Sequence, residues 1–129
     1  MPDKKERILV VDDAALVRLY YRQILEGAGY DVDEALNGLE ALEHVLTQNP
    51  DMLIVDVNMP QMDGLTFIKA IRRQDTPLSS VAILMISTES SSQDVEAARE
   101  AGANFYLKKP VSREQLIEVV SLLSGGSDG

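Results

Sequence analysis

The sequence predicts an α/β domain in which five strands alternate with five helices, an order of elements that gives a parallel sheet covered by helices on both faces. Two observations support this class. Short all-apolar runs at residues 8–11 and 52–55 each end abruptly in aspartate, as buried parallel strands do at a sheet edge. The segments between such runs carry apolar residues at helical spacing.

The predicted strands begin near Ile8, Asp31, Met52, Val81 and Asn104. The second is the least apolar and fits a sheet edge, whereas the third and fourth fit the centre. The strand order 2-1-3-4-5 is adopted from known doubly wound, flavodoxin-like sheets, because no local pattern in these residues specifies it. In that order strands 1 and 3 are neighbours whose connections diverge, so the crevice at their carboxyl ends is the expected ligand site.

Apolar stripes mark the five helices, and we interpret every stripe as ordinary core packing. The stripes are Val17, Tyr21, Ile24 and Leu25; Ala41, Leu42, Val45 and Leu46; Leu65, Ile68 and Ile71; Val95, Ala98 and Ala101; and Leu116, Ile117, Val120 and Leu123. We expect the first helix to end at Gly27 or Gly29 and the fourth at Gly102. Ser112, three residues before Gln115, has the spacing of a capping box at the start of the fifth helix.

Composition limits the possible functions. The 129 residues suffice for one domain, predicted at residues 1–123, followed by a flexible tail at 124–129 that has no apolar residue. The net charge of −9 disfavours binding to nucleic acid or to anionic membranes, and the lack of cysteine excludes thiolate metal sites. The apolar runs are too short for a signal peptide or a membrane span, and we expect a cytoplasmic monomer.

Polar side chains follow the predicted strands at one edge of the sheet. Asp12 and Asp13 follow strand 1, and Asp56 follows the apolar run of strand 3. If these strands are neighbours, three like charges meet and raise each other's pKa unless a cation or a proton intervenes. Ser87 and Lys109 end strands 4 and 5 at the same edge. This set predicts a site for a small, highly charged oxygen ligand bridged by a divalent cation.

Magnesium is the cation that fits this set, because it prefers carboxylate, carbonyl and water oxygens in octahedral geometry. Asp13 and Asp56 are predicted as direct ligands, and Asp12 as a ligand either directly or through water. The backbone carbonyl of Asn58 would suit a third protein ligand.

A carboxylate held beside magnesium and a lysine can attack phosphorus and form an acyl phosphate. Asp56 is the candidate nucleophile because it lies on the central strand. Lys109 would neutralise one phosphoryl oxygen and Ser87 would donate a hydrogen bond to another, so that catalysis consists of positioning and charge stabilisation.

The motifs that carry these residues resemble those of the receiver domains of two-component response regulators, and the resemblance covers nearly all of residues 6–123. The matching stretches are LVVDD at 9–13, LIVDVNMPQMDG at 53–64, MISTE at 85–89 and the dipeptide at 109–110. The resemblance implies that Asp56 is phosphorylated by a sensor histidine kinase, that Asp12 and Asp13 hold magnesium, and that Ser87 and Lys109 contact the phosphoryl group. It also implies that Tyr106 is a switch residue and that the Lys109–Pro110 peptide can be cis.

The short chain and the MISTES run resemble single-domain, chemotaxis-type (CheY-like) receivers, which act on a flagellar motor switch. Two positions depart from the family pattern. Thr88 stands where a smaller residue is common, which we expect to narrow access to Asp56. Val111 stands where phenylalanine is common, so packing beneath the last helix is expected to differ.

A phosphoryl group adds negative charge and strong acceptor oxygens. The hypothesis is that it draws Ser87 and its loop inward, and that the Tyr106 ring then enters the vacated space and alters the face formed by helix 4, strand 5 and helix 5. The alternative is that Tyr106 is a half-buried packing residue with its hydroxyl in water. Asn58 and Glu89 could orient an attacking water, which predicts self-dephosphorylation within seconds to minutes rather than many hours.

Three other interpretations remain open at this point. The chain could be a phosphate sink or a relay intermediate. It could be an aspartate-nucleophile phosphatase of the haloacid dehalogenase type, although that chemistry needs an acid where Asn58 stands. It could be a flavin carrier, although Asp12 and Asp13 would repel the flavin phosphate. We favour a phosphoacceptor that is not an enzyme and that assists its own phosphorylation and dephosphorylation.

Overall fold

The computed structural model describes residues 5–59, 61–89 and 91–124, so nearly all of the predicted flexible tail lies outside the described residues. The strands are β1 Arg7–Val11, β2 Asp31–Ala35, β3 Met52–Asp56, β4 Ala82–Ser87 and β5 Phe105–Lys108. The helices are α1 Ala15–Gly27, α2 Gly38–Thr47, α3 Gly64–Arg72, α4 Ser92–Ala101 and α5 Arg113–Leu123. In the part of the chain that is described, no helix is long and apolar enough to cross a membrane.

The five strands pair in parallel in the order β2-β1-β3-β4-β5, which confirms the predicted fold class and strand order. Every residue of β3 is buried, as expected of a strand at the centre of a sheet covered on both faces. Alternate strand residues point to opposite faces and build two separate cores. Leu9 and Leu53 pack with α2, α3 and α4, whereas Ile8 and Met52 pack with α1 and α5.

The interpretation of every apolar stripe as core was wrong at two positions, because Leu46 is 60% and Val95 is 39% exposed. Leu46 follows the buried Val45 by one residue, and a rotation of 100° along the helix turns it away from the sheet. Val95 lies in the first half of α4, and the neighbouring edge strand β5 is short and has no fully buried residue. In α4 only the C-terminal half, with Ala98 and Ala101, is buried.

Capping residues mark the helix ends. The predicted capping box of Ser112 and Gln115 is present at the start of α5. Gly102 ends α4 as predicted, with a left-handed φ of 118° that a residue with a Cβ rarely adopts. The start of α4 carries a second capping box, formed by Ser91 and Asp94, that the sequence analysis missed.

Gly64 allows α3 to begin close beneath the end of β3. Its N–H donates to the carbonyl of Val57 at 3.0 Å, and a Cβ at this position would lie far inside van der Waals contact with the carbonyl oxygen of Asp56. That oxygen belongs to the backbone and cannot move away without shifting the strand. The close approach therefore fixes the path of the chain immediately after Asp56.

We expect Gly64→Ala to lower the free energy of unfolding by about 2 kcal/mol, because the added methyl group overpacks the end of β3. Urea denaturation followed by circular dichroism measures the change. Gly27→Ala is the matched control, since nothing lies within 4 Å of a Cβ there. It should leave the stability unchanged or slightly raised. Equal stability of the two variants would contradict this account of Gly64.

Candidate functional site

Three carboxylates meet at the carboxyl edge of the sheet. Asp12 and Asp13 follow β1 and Asp56 ends β3, and because these strands pair in parallel with Val11 beside Val55, their ends lie level. One oxygen from each acid lies within 4.8 Å of the others. Asp12 and Asp56 are only 2% and 7% exposed, whereas Asp13 is exposed. The structure thus brings together the three acids that the sequence placed at strand ends.

The ammonium group of Lys109 lies between the two buried acids. It donates a hydrogen bond to Asp12 Oδ2 at 3.1 Å and lies 3.4 Å from Asp56 Oδ1. The backbone holds Lys109 in place, because its N–H donates to the carbonyl of Ser87 at 2.7 Å, at the end of β4. The peptide bond between Lys109 and Pro110 is cis, as the resemblance implied.

The electrostatics of the site favour an additional positive charge. Burial raises the pKa of Asp56 to about 6, the charges of Asp12 and Asp13 add to the shift, and Lys109 opposes it. Burial lowers the pKa of Lys109, but its hydrogen bond with Asp12 and the charges of Asp12 and Asp56 outweigh burial and raise the pKa overall. One ammonium does not neutralise three carboxylates, so the metal-free site stabilises a proton on Asp56. The possible metal ligands of the three acids are all carboxylate oxygens, which suits a hard divalent cation such as magnesium.

The backbone of Glu89 joins Ser87 to Tyr106. Ser87 is fully buried, and its hydroxyl oxygen accepts a hydrogen bond from the Glu89 N–H at 3.0 Å. The Tyr106 hydroxyl, on β5, donates to the Glu89 carbonyl. The Tyr106 side chain is partly buried, and its hydroxyl is bonded to the backbone of the protein. Asn58 lies two residues beyond β3 with an exposed side chain, and the side chain of Glu89 is also exposed.

The two departures from the family pattern lie beside the site. Thr88 is exposed and lines an open, mostly apolar groove together with Pro110, Val111 and the first half of α1. Val111 is itself 4% exposed and belongs to the core beneath α5. Its carbonyl accepts a hydrogen bond from the Tyr20 hydroxyl at 2.9 Å, so the loop before α5 is tied to α1.

Arg18 contacts the site although the sequence analysis did not single it out. Its guanidinium donates to the carbonyl of Asp12 at 2.7 Å and to Glu34 Oε1 at 2.8 Å. An arginine within an amphipathic helix is typically a solvated surface residue, so periodicity carries no signal for this contact. The one available signal in the sequence was Glu34, an acid within the predicted edge strand that could pair with a basic residue of the first helix.

Residues 8–121 match the family of the response regulator receiver domain. The chain belongs to this family. It is therefore a receiver domain of two-component signal transduction, a class of phosphoacceptors that interact with histidine kinases and with downstream targets. This membership agrees with the fold and with the acidic cluster described above.

Two chemotaxis proteins match this receiver over nearly their whole length. Chemotaxis protein CheY of Bacillus subtilis (strain 168) is 36% identical over 116 residues, which cover 89% of this chain and 94% of that protein. The structure of chemotaxis protein CheY4 of Vibrio cholerae superposes with a TM-score of 0.88 at 35% identity, covering 93% of this chain and 99% of the other.

A third relative is much longer than this receiver. The protein-glutamate methylesterase/protein-glutamine glutaminase of Archaeoglobus fulgidus is 44% identical over 106 residues, or 81% of this chain. The chain spans only 30% of the length of that protein. The activity in its name is accordingly not transferred to this receiver.

The raised pKa of Asp56 predicts how the metal-free receiver responds to pH. The folded state keeps the Asp56 proton up to pH about 6, whereas the unfolded state loses it near 3.8, so the folded state binds more protons between these values. The free energy of unfolding should therefore fall as pH rises through this window and stay lower above it.

Asp56→Asn should remove this contribution and raise the stability at pH 8 in chelator by about 1 kcal/mol, after allowance for solvent screening. Urea denaturation in EDTA at pH 5 and pH 8 measures it. Asp75→Asn, at an exposed position, makes the same change in charge and serves as the control. A variant at position 56 that is no more stable than this control at pH 8 would disprove the electrostatic account.

Proposed function

We propose that Asp56 of this receiver accepts a phosphoryl group from a sensor histidine kinase in the presence of magnesium, and that phosphorylation switches a protein-binding face. The observation that carries the proposal is the geometry around Asp56. This buried carboxylate lies 3.4 Å from the ammonium of Lys109 and within 4.8 Å of two further acids. The ammonium can neutralise charge on an incoming phosphoryl group, and the acid oxygens can bind a metal ion beside it.

We assign the metal ligands from the same oxygen set. Asp13 and Asp56 would be direct ligands, and Asp12 would act directly or through water. The backbone carbonyl of Asn58, just beyond the end of β3, would suit a third protein ligand. Magnesium bound there would offset the repulsion between the acids and the negative charge of the incoming phosphoryl group.

The chain's own residues supply the remaining chemistry. A carboxylate oxygen of Asp56 attacks the phosphorus atom, the bond from phosphorus to the histidine nitrogen of the kinase breaks, and the imidazole leaves with that electron pair. Asp56 must be ionised for this attack, a condition that magnesium favours. The Lys109 ammonium neutralises charge on a phosphoryl oxygen, and the Ser87 hydroxyl, which accepts from Glu89, can donate its own proton to another.

The switch would run through the backbone of Glu89. A phosphoryl oxygen that binds the Ser87 hydroxyl changes the hydrogen bond between Ser87 and the Glu89 N–H. Because the Glu89 carbonyl accepts from Tyr106, a shift of this peptide alters the position of the ring. Tyr106 borders the groove between α4 and β5, where Val95 and Phe105 are exposed. The face formed by α4, β5 and α5 is therefore the proposed output surface.

Asn58 and Glu89 also enter the proposal as residues that set the phosphoryl lifetime. Both side chains are exposed at the rim of the site, where they can orient water toward the phosphorus. Self-dephosphorylation within seconds to minutes stays a prediction. With Asn58 rather than an acid two residues after the nucleophile, a turnover phosphatase is disfavoured.

The pathway is proposed from the relatives. Two of them are named chemotaxis proteins and match over nearly their full length, which favours a chemotaxis role with a flagellar motor switch as the downstream partner. A phosphate sink or relay receiver would use the same site and is the second candidate. A cytoplasmic location and a monomeric state stay predictions.

Phosphorylation is tested by intact-mass measurement after incubation with acetyl phosphate and magnesium. We expect the parent to gain the mass of one phosphoryl group and Asp56→Asn to gain none, because the amide cannot act as the nucleophile. Addition of EDTA should abolish the gain. A parent that stays unmodified under conditions where it is folded would refute the assignment of Asp56.

The switch is tested by recording NMR spectra of the Tyr106 ring with and without beryllofluoride, a phosphoryl mimic. We expect the ring signals to shift in the parent, because the Ser87 and Glu89 contacts change. In Ser87→Ala the shift should shrink several-fold while the mimic still binds Asp56. Identical ring spectra in the free and bound parent would remove Tyr106 from the switch.

A further inference from the structure

We propose that Arg18 is a positioning residue for the metal site, because its guanidinium fixes the peptide group that joins Asp12 to Asp13. This inference rests on the proposed function, in which Asp13 is a direct metal ligand. The contact itself is a hydrogen bond of 2.7 Å from Arg18 Nη1 to the carbonyl oxygen of Asp12. A hydrogen bond to that oxygen orients the whole planar peptide, including the N–H of Asp13.

Asp13 depends on its backbone for its position more than the other two acids do. Asp12 is buried, and its two carboxylate oxygens accept from the Ala14 N–H at 2.9 Å and from Lys109 at 3.1 Å. Asp13 is exposed, and within the described residues no hydrogen bond or ion pair holds its side chain. The backbone alone therefore sets where its side chain begins, and the Asp12–Asp13 peptide is part of that backbone.

Arg18 is itself held by a second contact. Its Nε donates to Glu34 Oε1 at 2.8 Å, and the Arg18 and Glu34 side chains are only 16% and 25% exposed. Glu34 lies on β2 beside Val10 of β1, so the anchor of Arg18 is built into the sheet. The guanidinium fork thus bridges a carboxylate on β2 and the carbonyl that follows β1. A planar donor with fixed geometry suits this double contact, and lysine would not replace it.

Arg22 offers a matched control, one turn further along α1. Its Nη1 binds the other oxygen of Glu34, and its Nη2 donates to the carbonyl of Val32 at 2.6 Å. Arg22 therefore shares the helix, the carboxylate partner and the backbone contact of Arg18. The carbonyl that Arg22 binds lies within β2, whereas the carbonyl that Arg18 binds precedes Asp13. Arg22 also pairs with Glu26 at 3.1 Å.

The sign of the effect separates positioning from simple electrostatics. Arg18 is a cation near the place where a dication would bind, so deleting its charge should strengthen magnesium binding if charge alone mattered. Loss of positioning should instead weaken binding, because residues that orient metal ligands typically contribute about tenfold or more in affinity. The two explanations thus predict opposite changes.

The experiment is a titration of the full chain with magnesium chloride, followed by the backbone amide NMR signals of Asp13 and Asn58. We expect Arg18→Met to raise the magnesium Kd by about tenfold. Arg22→Met should change it less than about twofold. Urea denaturation in EDTA measures the stability of both variants. If the two lose similar stability, a general destabilisation of the fold cannot explain a difference between their magnesium Kd values. Arg18→Lys carries the test if Arg18→Met does not fold, and its Kd should lie clearly above that of the parent.

Each outcome supports or overturns the positioning role of Arg18. A Kd of Arg18→Met equal to or below that of the parent, or an equal rise in Arg22→Met, would overturn the positioning role while leaving the proposed function intact. If Arg18→Met does not fold, a magnesium Kd of Arg18→Lys equal to that of the parent would overturn the positioning role. If magnesium leaves the amide signals of the parent unchanged, the proposed function itself is overturned, and this inference with it.

Discussion

The repulsion among three carboxylates at one sheet edge is the constraint on which the rest of the site depends. Two of them, Asp12 and Asp56, are nearly fully buried, and burial raises the pKa of Asp56 to about 6. Lys109 bonds Asp12 and lies beside Asp56 but offsets only part of this charge. The fold must therefore be stable enough elsewhere to hold a site that gains from a proton, a metal ion or both.

The scaffold meets this requirement with contacts that are independent of the acids. The central strand β3 is buried on both faces, and the two cores lie on opposite sides of the sheet. Backbone contacts fix the loops at the carboxyl edge, from Lys109 to Ser87 and from Gly64 to Val57. Because the loops are held by main-chain groups, their side chains remain available for a ligand.

Two networks extend outward from the acids in opposite directions. Toward β5, the backbone of Glu89 connects the buried hydroxyl of Ser87 with that of Tyr106. Toward β2, the guanidinium of Arg18 connects the Asp12 carbonyl with Glu34. The first offers a route by which a phosphoryl group could alter a binding face, and the second a means of keeping Asp13 in place.

The sequence by itself determined the α/β class, the strand positions and the placement of the three acids at strand ends, because burial and strand ends leave local signals in apolar runs that stop at charge. The strand order, and with it the expectation that the three acids meet, was adopted from known sheets. Only the tertiary structure decided the exposure of Val95, the bond between Tyr106 and Glu89 and the contact of Arg18 with Asp12. Lys109 and Asp12, 97 positions apart, show the reason. Such contacts depend on loop paths and side-chain rotamers, which no local pattern encodes.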